Sequence, residues 1–195
     1  MLIIVVIALM LIIAVVVIYN GLIAKKNQVE KIFSTVDVML KKRYDLVPQI
    51  VNTVKGYMTY ERELLERITE IRAKAVSMGA GEKEAGILNN ELTGLLGRLF
   101  VVVENYPQLK ANENFMHLQR TLVELEEQIS AARRAFNAAV NDYNNAVQMF
   151  PTNIFASMMG YRKKSFFEIA GEEREVPGVG FERGEKSERD KELNS

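Results

Sequence analysis

Few side chains in this sequence are suited to covalent chemistry. His117 is the one histidine, with no cysteine beside it, so any zinc site would have to be built from carboxylates. There is no Gly-x-Ser-x-Gly elbow, no Gly-x-Gly-x-x-Gly and no Gly-Lys-Ser/Thr phosphate loop. Glu61-Arg62-Glu63 and Glu124, Glu126 and Glu127 supply carboxylates, but helical spacing puts them on solvated faces rather than opposite one another. No catalytic residue, metal or cofactor is expected, and the role implied is non-enzymatic.

Two polar constellations remain. The first is Asn137, Asn141, Asn144 and Asn145 in "FNAAVNDYNNAVQMF". Asparagine is a poor interior helix residue, so four in nine positions need a reason. Asn137 and Asn144 are seven apart and share one flank of an apolar stripe. The favoured reading is a structural network in which these amides bond Asp37 or Arg43 on a neighbouring helix and fix its register. A polar contact strip for a partner is the alternative.

The second is "ENYPQLKANENF", Glu104 to Phe115. Pro107 pushes Tyr106 out of helical geometry, Leu109 is placed to plug a bundle end, and Asn112 can cap the next helix with Glu113 in its first turn. The turn is complete without a ligand. Its position at one end of a helix makes Tyr106, Pro107, Leu109, Asn112 and Asn114 the first candidates for a partner-contact surface.

Apolar periodicity supplies the elements behind these residues. Phe33, Val36, Leu40, Tyr44, Val47, Val51, Val54 and Met58 step by three or four, as do Leu64, Ile68, Ile71, Ala75 and Met78. A third run is Leu88, Leu92, Leu95, Leu99, Val102 and Tyr106. The fourth, from Phe115 to Phe150, is the longest. Pro48 predicts a kink or restart in the first run by removing a donor and crowding the Tyr44 carbonyl. "GAG" closes the second run, and Pro151 should end the fourth. No strand alternation of comparable length appears. Short connections favour an all-α, antiparallel up-and-down bundle of four helices with long first and fourth members. An extended coiled coil is the rival, weakened by the shortness of the two middle runs.

Leu2 to Ile18 is an unbroken apolar run of roughly 26 Å at 1.5 Å per residue, close to the hydrocarbon thickness. No basic residue precedes it, and Tyr19-Asn20-Gly21 is a poor cleavage site, so a retained transmembrane anchor is expected rather than a signal peptide. Lys25, Lys26 and Lys31 follow as a candidate lipid-facing basic group. By the positive-inside rule they place the helical part in the cytoplasm and the short N-terminus outside, in a single-pass cell-membrane protein. Formal charge sums to zero, which argues against nucleic acid as a partner. The expected division is 1–20 anchor, 21–160 bundle, 161–181 extended segment with "VPGVGF", and 182–195 charged disordered tail.

"YNGLIAKKNQVEKIFSTVDVMLKKRYDLVPQIVNTVKGY" resembles the opening of LemA family proteins. The resemblance continues through "LTGLLGRLFVVVENYPQLKANENFMHLQRTL", whose "ENYP-LKAN-NF--LQ" core is its most specific part. It runs on through "ISAARRAFNAAVNDYNNAVQMFPTNIFA" to Val176, Pro177, Val179 and Phe181, which match the family's closing "VP-V-F". Phe136 stands where the family often has Tyr, and Gly180 where Asp is common. The resemblance implies a single-span protein with a cytoplasmic helical bundle and no settled activity. Family associations with membrane organisation and membrane zinc proteases imply an interaction or scaffold protein. Such a protein would self-associate as a homo-oligomer, or present its bundle to another membrane protein such as a protease in envelope quality control. Val176, Pro177 and Phe181 join the candidate contact residues on that ground. A lipid-binding or membrane-shaping protein, using the bilayer itself as partner through "IFASMMGY" and the basic stretch, is the alternative.

Overall fold

A computed structural model describes residues 1–58, 60–77 and 82–167, and these form helices α1 (Leu2–Lys55), α2 (Arg62–Ser77), α3 (Glu82–Val103), α4 (Pro107–Lys110), α5 (Glu113–Gln148) and α6 (Thr152–Met158). The described residues are helical apart from the connections and the segment 161–167, which follows the last helix. The "VPGVGF" segment and the charged tail lie outside them.

α1 is a single helix of 54 residues, about 80 Å long at 1.5 Å per residue. Its first third is an apolar rod that packs on none of the described residues, long and apolar enough to cross a bilayer and with none of that stretch buried. From Leu22 onward it becomes amphipathic: Leu22, Val29, Val36, Leu40, Tyr44, Val47, Ile50, Val51 and Val54 are buried at helical spacing. One rigid element thus joins the apolar rod to the core.

The helix continues through Pro48, so the expected restart does not occur. Proline leaves the Tyr44 carbonyl without its i+4 donor. Arg72 on α2 supplies one, its Nε donating to that carbonyl at 3.0 Å. Buried Tyr44, Leu46, Val47, Ile50 and Val51 hold the helix to the core on both sides of the proline.

Cross-contacts give the helix directions. Phe33 meets Phe136 at 5.8 Å between ring centroids, Arg43 meets Glu126, and Asn112 meets Tyr57. Residues advancing along α1 therefore face residues receding along α5, in one constant register, and the two run antiparallel. Arg67 pairs with Glu91 and Tyr106 with Glu61, so α2 and α3 are antiparallel as well. The four long helices share one apolar core containing Leu65, Ile68, Leu92, Leu99, Leu122 and Phe136. α3 is also long and apolar enough to cross a bilayer, but a third of its apolar stretch is buried in this core. The strict stepping of α5 reflects its role as the long partner of α1.

Candidate functional site

The far end of α1 and the turn between α3 and α5 form one polar pole. The Tyr106 hydroxyl donates to the Glu61 carboxylate, 2.8 and 2.7 Å from its two oxygens. That bond stabilises the neutral phenol, so the Tyr106 pKa is raised above the usual value. Asn112 caps α5 by accepting from the Phe115 N–H at 3.0 Å, while its Nδ2 donates to the Tyr57 hydroxyl at 3.1 Å. One asparagine therefore ends one helix connection and ties it to another. Lys110 and Glu104 form an ion pair across the turn. A cleft of about 390 Å³ opens here, lined by Gly56, Tyr57, Asn105, Tyr106, Pro107 and Gln108.

The expected contact residues divide by burial. Pro107 and Asn114 are exposed and Tyr106 and Asn112 half-buried. Leu109 is fully buried and belongs to the core, so it supports the pole from beneath and presents no surface. Val176, Pro177 and Phe181 lie outside the described residues.

Arg43 sits in the middle of the bundle with its side chain fully buried. Nη1 donates to Asn89 Oδ1 at 2.5 Å and Nη2 to Thr93 Oγ1 at 3.0 Å. Nε lies 2.9 Å from Glu126 Oε1, an ion pair by distance, though the two are not aligned for a straight hydrogen bond. Burial lowers the Arg43 pKa against the opposing pull of Glu126, and burial raises that of Glu126 against the pull of Arg43. α1, α3 and α5 are thereby locked at one level. Glu126 is not on a solvated face as its spacing suggested. Arg43, expected in a network with Asn137 and Asn144, is buried with other partners, and the missed member is Glu126, which stands among Leu122, Leu125 and Ile129.

Asn137 and Asn144 do not bond Asp37 or Arg43. The α1–α5 register puts Arg43 level with Glu126, three turns away from Asn137, and Asp37 is exposed. The two amides clamp the chain after α6 instead. Asn144 donates to the Lys164 carbonyl and accepts from the Lys164 N–H, both at 2.9 Å. Asn137 does the same with Phe167, at 3.2 and 2.8 Å. Seven residues of helix rise about 10.5 Å, and three residues of extended chain cover about 10 Å, so the spacings match. The segment 161–167 is a strap running back along α5, and its end is fastened by Phe167. That ring is buried edge-on to Phe136 and beneath the Arg133 guanidinium.

At the opposite pole, α6 packs on α1 and α5. Lys26 lies over the Tyr161 ring at 5.5 Å and pairs with Glu30 at 3.7 Å, while Lys25 and Lys31 are exposed. His117 is exposed too. A groove of about 1060 Å³ between α2 and α3 is lined with acids and bases that pair with one another, as Arg67 does with Glu70 and Glu91. Among the described residues, no group of three or more His, Asp or Glu is placed to hold a metal ion.

Long helices around one core, continuous with an exposed apolar stem and strapped by the chain's own segment 161–167, define a class of stalked helical protein. Residues 32–181 match the model of the LemA family, and the chain belongs to that family. Magnetosome protein MamQ 1 of Paramagnetospirillum magneticum is 25% identical over 175 residues, covering 77% of this chain and 64% of that protein. Magnetosome protein MamQ of Magnetospirillum gryphiswaldense is 25% identical over 174 residues, covering 76% of this chain and 64% of the relative. Protein LemA of Metamycoplasma hominis is 24% identical over 155 residues, covering 80% of this chain and 71% of its own length. The chain thus spans about 64% of the length of the MamQ relatives it matches.

Proposed function

We propose that this protein is a membrane-anchored, non-enzymatic interaction or scaffold protein, held by Leu2–Ile18 with its bundle in the cytoplasm. It acts by presenting the pole around Tyr106, Pro107, Asn112 and Asn114 to a second copy or to another membrane protein. A membrane protease in envelope quality control fits the family's associations. The carrying observation is the continuity of α1, which ends at Lys55, about 55 Å beyond Ile18 along one helix. A polar, tied-down cleft at that distance is a surface held out from the bilayer rather than a site buried for chemistry. Two of the chain's most specific motif residues, Pro107 and Asn114, are exposed there. Val176, Pro177 and Phe181 extend the proposed contact set.

The test places a photo-crosslinking residue at Pro107 or Asn114 of the full chain in native membranes, followed by mass spectrometry. Recurrent products, self-crosslinks included, are expected from these positions and not from exposed Arg134 on the flank of α5. The same products from Arg134, or none from the pole, overturn the reading. Lipid binding or membrane shaping is a second reading, favoured by the apolar side chains at the opposite pole.

A further inference from the structure

Among the described residues, the membrane-near end of the bundle carries four large apolar side chains at least half exposed: Met149 (63% exposed), Phe150 (79%), Ile154 (50%) and Met158 (80%). Their height along the molecule is fixed from two sides. The constant α1–α5 register, carried down from Arg43–Glu126 and Phe33–Phe136, sets Phe150 level with Tyr19, one residue past the apolar run. Tyr161, just after α6, is held level with Lys26 by its ring contact. α6 is therefore confined to the few turns of α1 directly above Ile18, and it packs on that helix.

Local chemistry fixes how α6 sits. Ala156 is fully buried against the bundle, which turns Ile154 and Met158, one helical turn apart, outward. The helix closes with Tyr161 N–H bonded to the Ala156 carbonyl at 2.9 Å and Gly160 N–H to Ser157 at 3.1 Å. Gly160 at φ +69° makes that closure in a conformation open to glycine, and so returns the chain to α5 at once. Thr152 Oγ1 donates to the Ala146 and Met149 carbonyls, pinning the entry to α6. The exposed quartet is thus carried on a short element fixed at both ends.

Charge points the same way. From Met149 to Phe167 there is no acidic residue, while Arg162, Lys163 and Lys164 follow α6 directly. Arg162 and Lys163 are exposed, as is Lys25 on the neighbouring α1. Apolar tips below a basic rim match the layering of a bilayer surface, where acyl chains lie beneath anionic headgroups.

We infer that Met149, Phe150, Ile154 and Met158 form a second membrane attachment, inserting into the headgroup–acyl boundary of the bilayer that α1 crosses. The occupant is the lipid surface, with Lys25, Arg162 and Lys163 taking anionic headgroups. The bundle then stands on two contacts, a spanning stem and an interfacial foot, which restrains its tilt and keeps the far pole at a set height. The inference rests on the anchor reading of α1.

The chain has no tryptophan, so each introduced one is a single reporter. The full chain is reconstituted in phosphatidylcholine–phosphatidylglycerol vesicles as F150W, M158W, L9W or V101W, each at an exposed position that tolerates the ring, with helical circular dichroism confirming the fold. Brominated lipid should extinguish much of the emission of F150W and M158W as well as L9W, and leave V101W, on the outer face of α3, unchanged. Quenching of L9W without F150W and M158W overturns the foot and leaves the anchor standing. No quenching of L9W overturns both. F150W emission that follows the protein-to-lipid ratio and ignores brominated lipid assigns the patch to a second copy and also overturns the inference.

Discussion

The Tyr44 carbonyl accepts a hydrogen bond from Arg72 Nε at 3.0 Å, and it is free to do so because Pro48, four residues on, has no N–H to offer. A defect in α1 is thereby converted into a tie between α1 and α2. The two residues should be energetically coupled through that one oxygen. Arg72→Met is expected to lower stability by about 1.5 kcal/mol, the range for a charge-assisted bond to a partly buried carbonyl. In a Pro48→Ala background the helix supplies its own donor, and the same substitution should cost about 1 kcal/mol less. Strict additivity in urea denaturation of the four proteins would show that the tie does not exist.

The fold class was legible because it rests on periodicity, which is local: the stripe from Phe115 to Phe150 and the stop at Pro107 need no tertiary knowledge. The Asn112 cap and the buried Leu109 follow from neighbours within a few residues. Pairings across the bundle were not legible. The partner of Asn144 is Lys164, reached only after the chain has turned twice, and main-chain groups leave no signature in side-chain spacing. Arg43 was legible as a network residue, but its choice of Asn89, Thr93 and Glu126 over Asn137 and Asn144 depends on which helices touch.

Glu126→Ala should destabilise the bundle by about 2 kcal/mol, less than the usual loss on breaking a fully buried pair because the carboxylate is a third exposed. Arg43 would then keep Asn89 and Thr93 but carry an unneutralised charge in the core. Arg43→Met should cost more, about 3 kcal/mol, since it strands Asn89 Oδ1 and Glu126 together. The double variant Arg43→Met/Glu126→Ala is expected to be more stable than the sum of the single losses predicts. Chemical denaturation measures all three, and a loss below about 0.5 kcal/mol for Glu126→Ala would leave the pair without structural weight.

The strap should loosen one rung at a time. Asn144→Ala removes both bonds to Lys164, and Asn137→Ala both bonds to Phe167, at about 1–2 kcal/mol each. Amide hydrogen exchange is the direct reading. The Lys164 amide should exchange faster in Asn144→Ala and the Phe167 amide in Asn137→Ala, with protection in α2 and α3 retained. Unchanged exchange at both amides would mean that burial of Phe167 alone holds the segment.

Alkaline pH should destabilise the fold through its tyrosines. Burial raises Tyr44 and Tyr143 above the ordinary 10.0, and the bond to Glu61 raises Tyr106. A raised acid keeps its proton in the folded state where the unfolded chain has lost it, so the native state binds more protons and stability falls as pH rises. The loss begins near the unfolded value and continues until the folded values are passed. Thermal midpoints should therefore be flat up to about pH 9 and decline above about pH 10, and Tyr44→Phe should make that decline shallower. An identical slope in Tyr44→Phe would remove Tyr44 from the account.

The far pole allows structural support and surface contact to be separated, because its residues differ so sharply in burial. Leu109, with no exposed surface, should cost about 2–4 kcal/mol on substitution by alanine, and the Asn112 cap about 1 kcal/mol. Pro107→Ala and Asn114→Ala change exposed side chains and should shift stability by no more than about 0.5 kcal/mol. If the pole is a contact surface, these last two variants should weaken crosslinking from a reporter at Gln108 while their melting curves overlay the parent. If binding falls only in Leu109→Ala and Asn112→Ala, in step with lost stability, the turn is a structural element and the contact lies elsewhere. Tyr106→Phe sits between the cases: it removes the bond to Glu61 from a half-buried ring and keeps the ring itself. A contact that reads the hydroxyl is lost in that variant with little change in melting, whereas one that reads only the apolar face of the ring survives it.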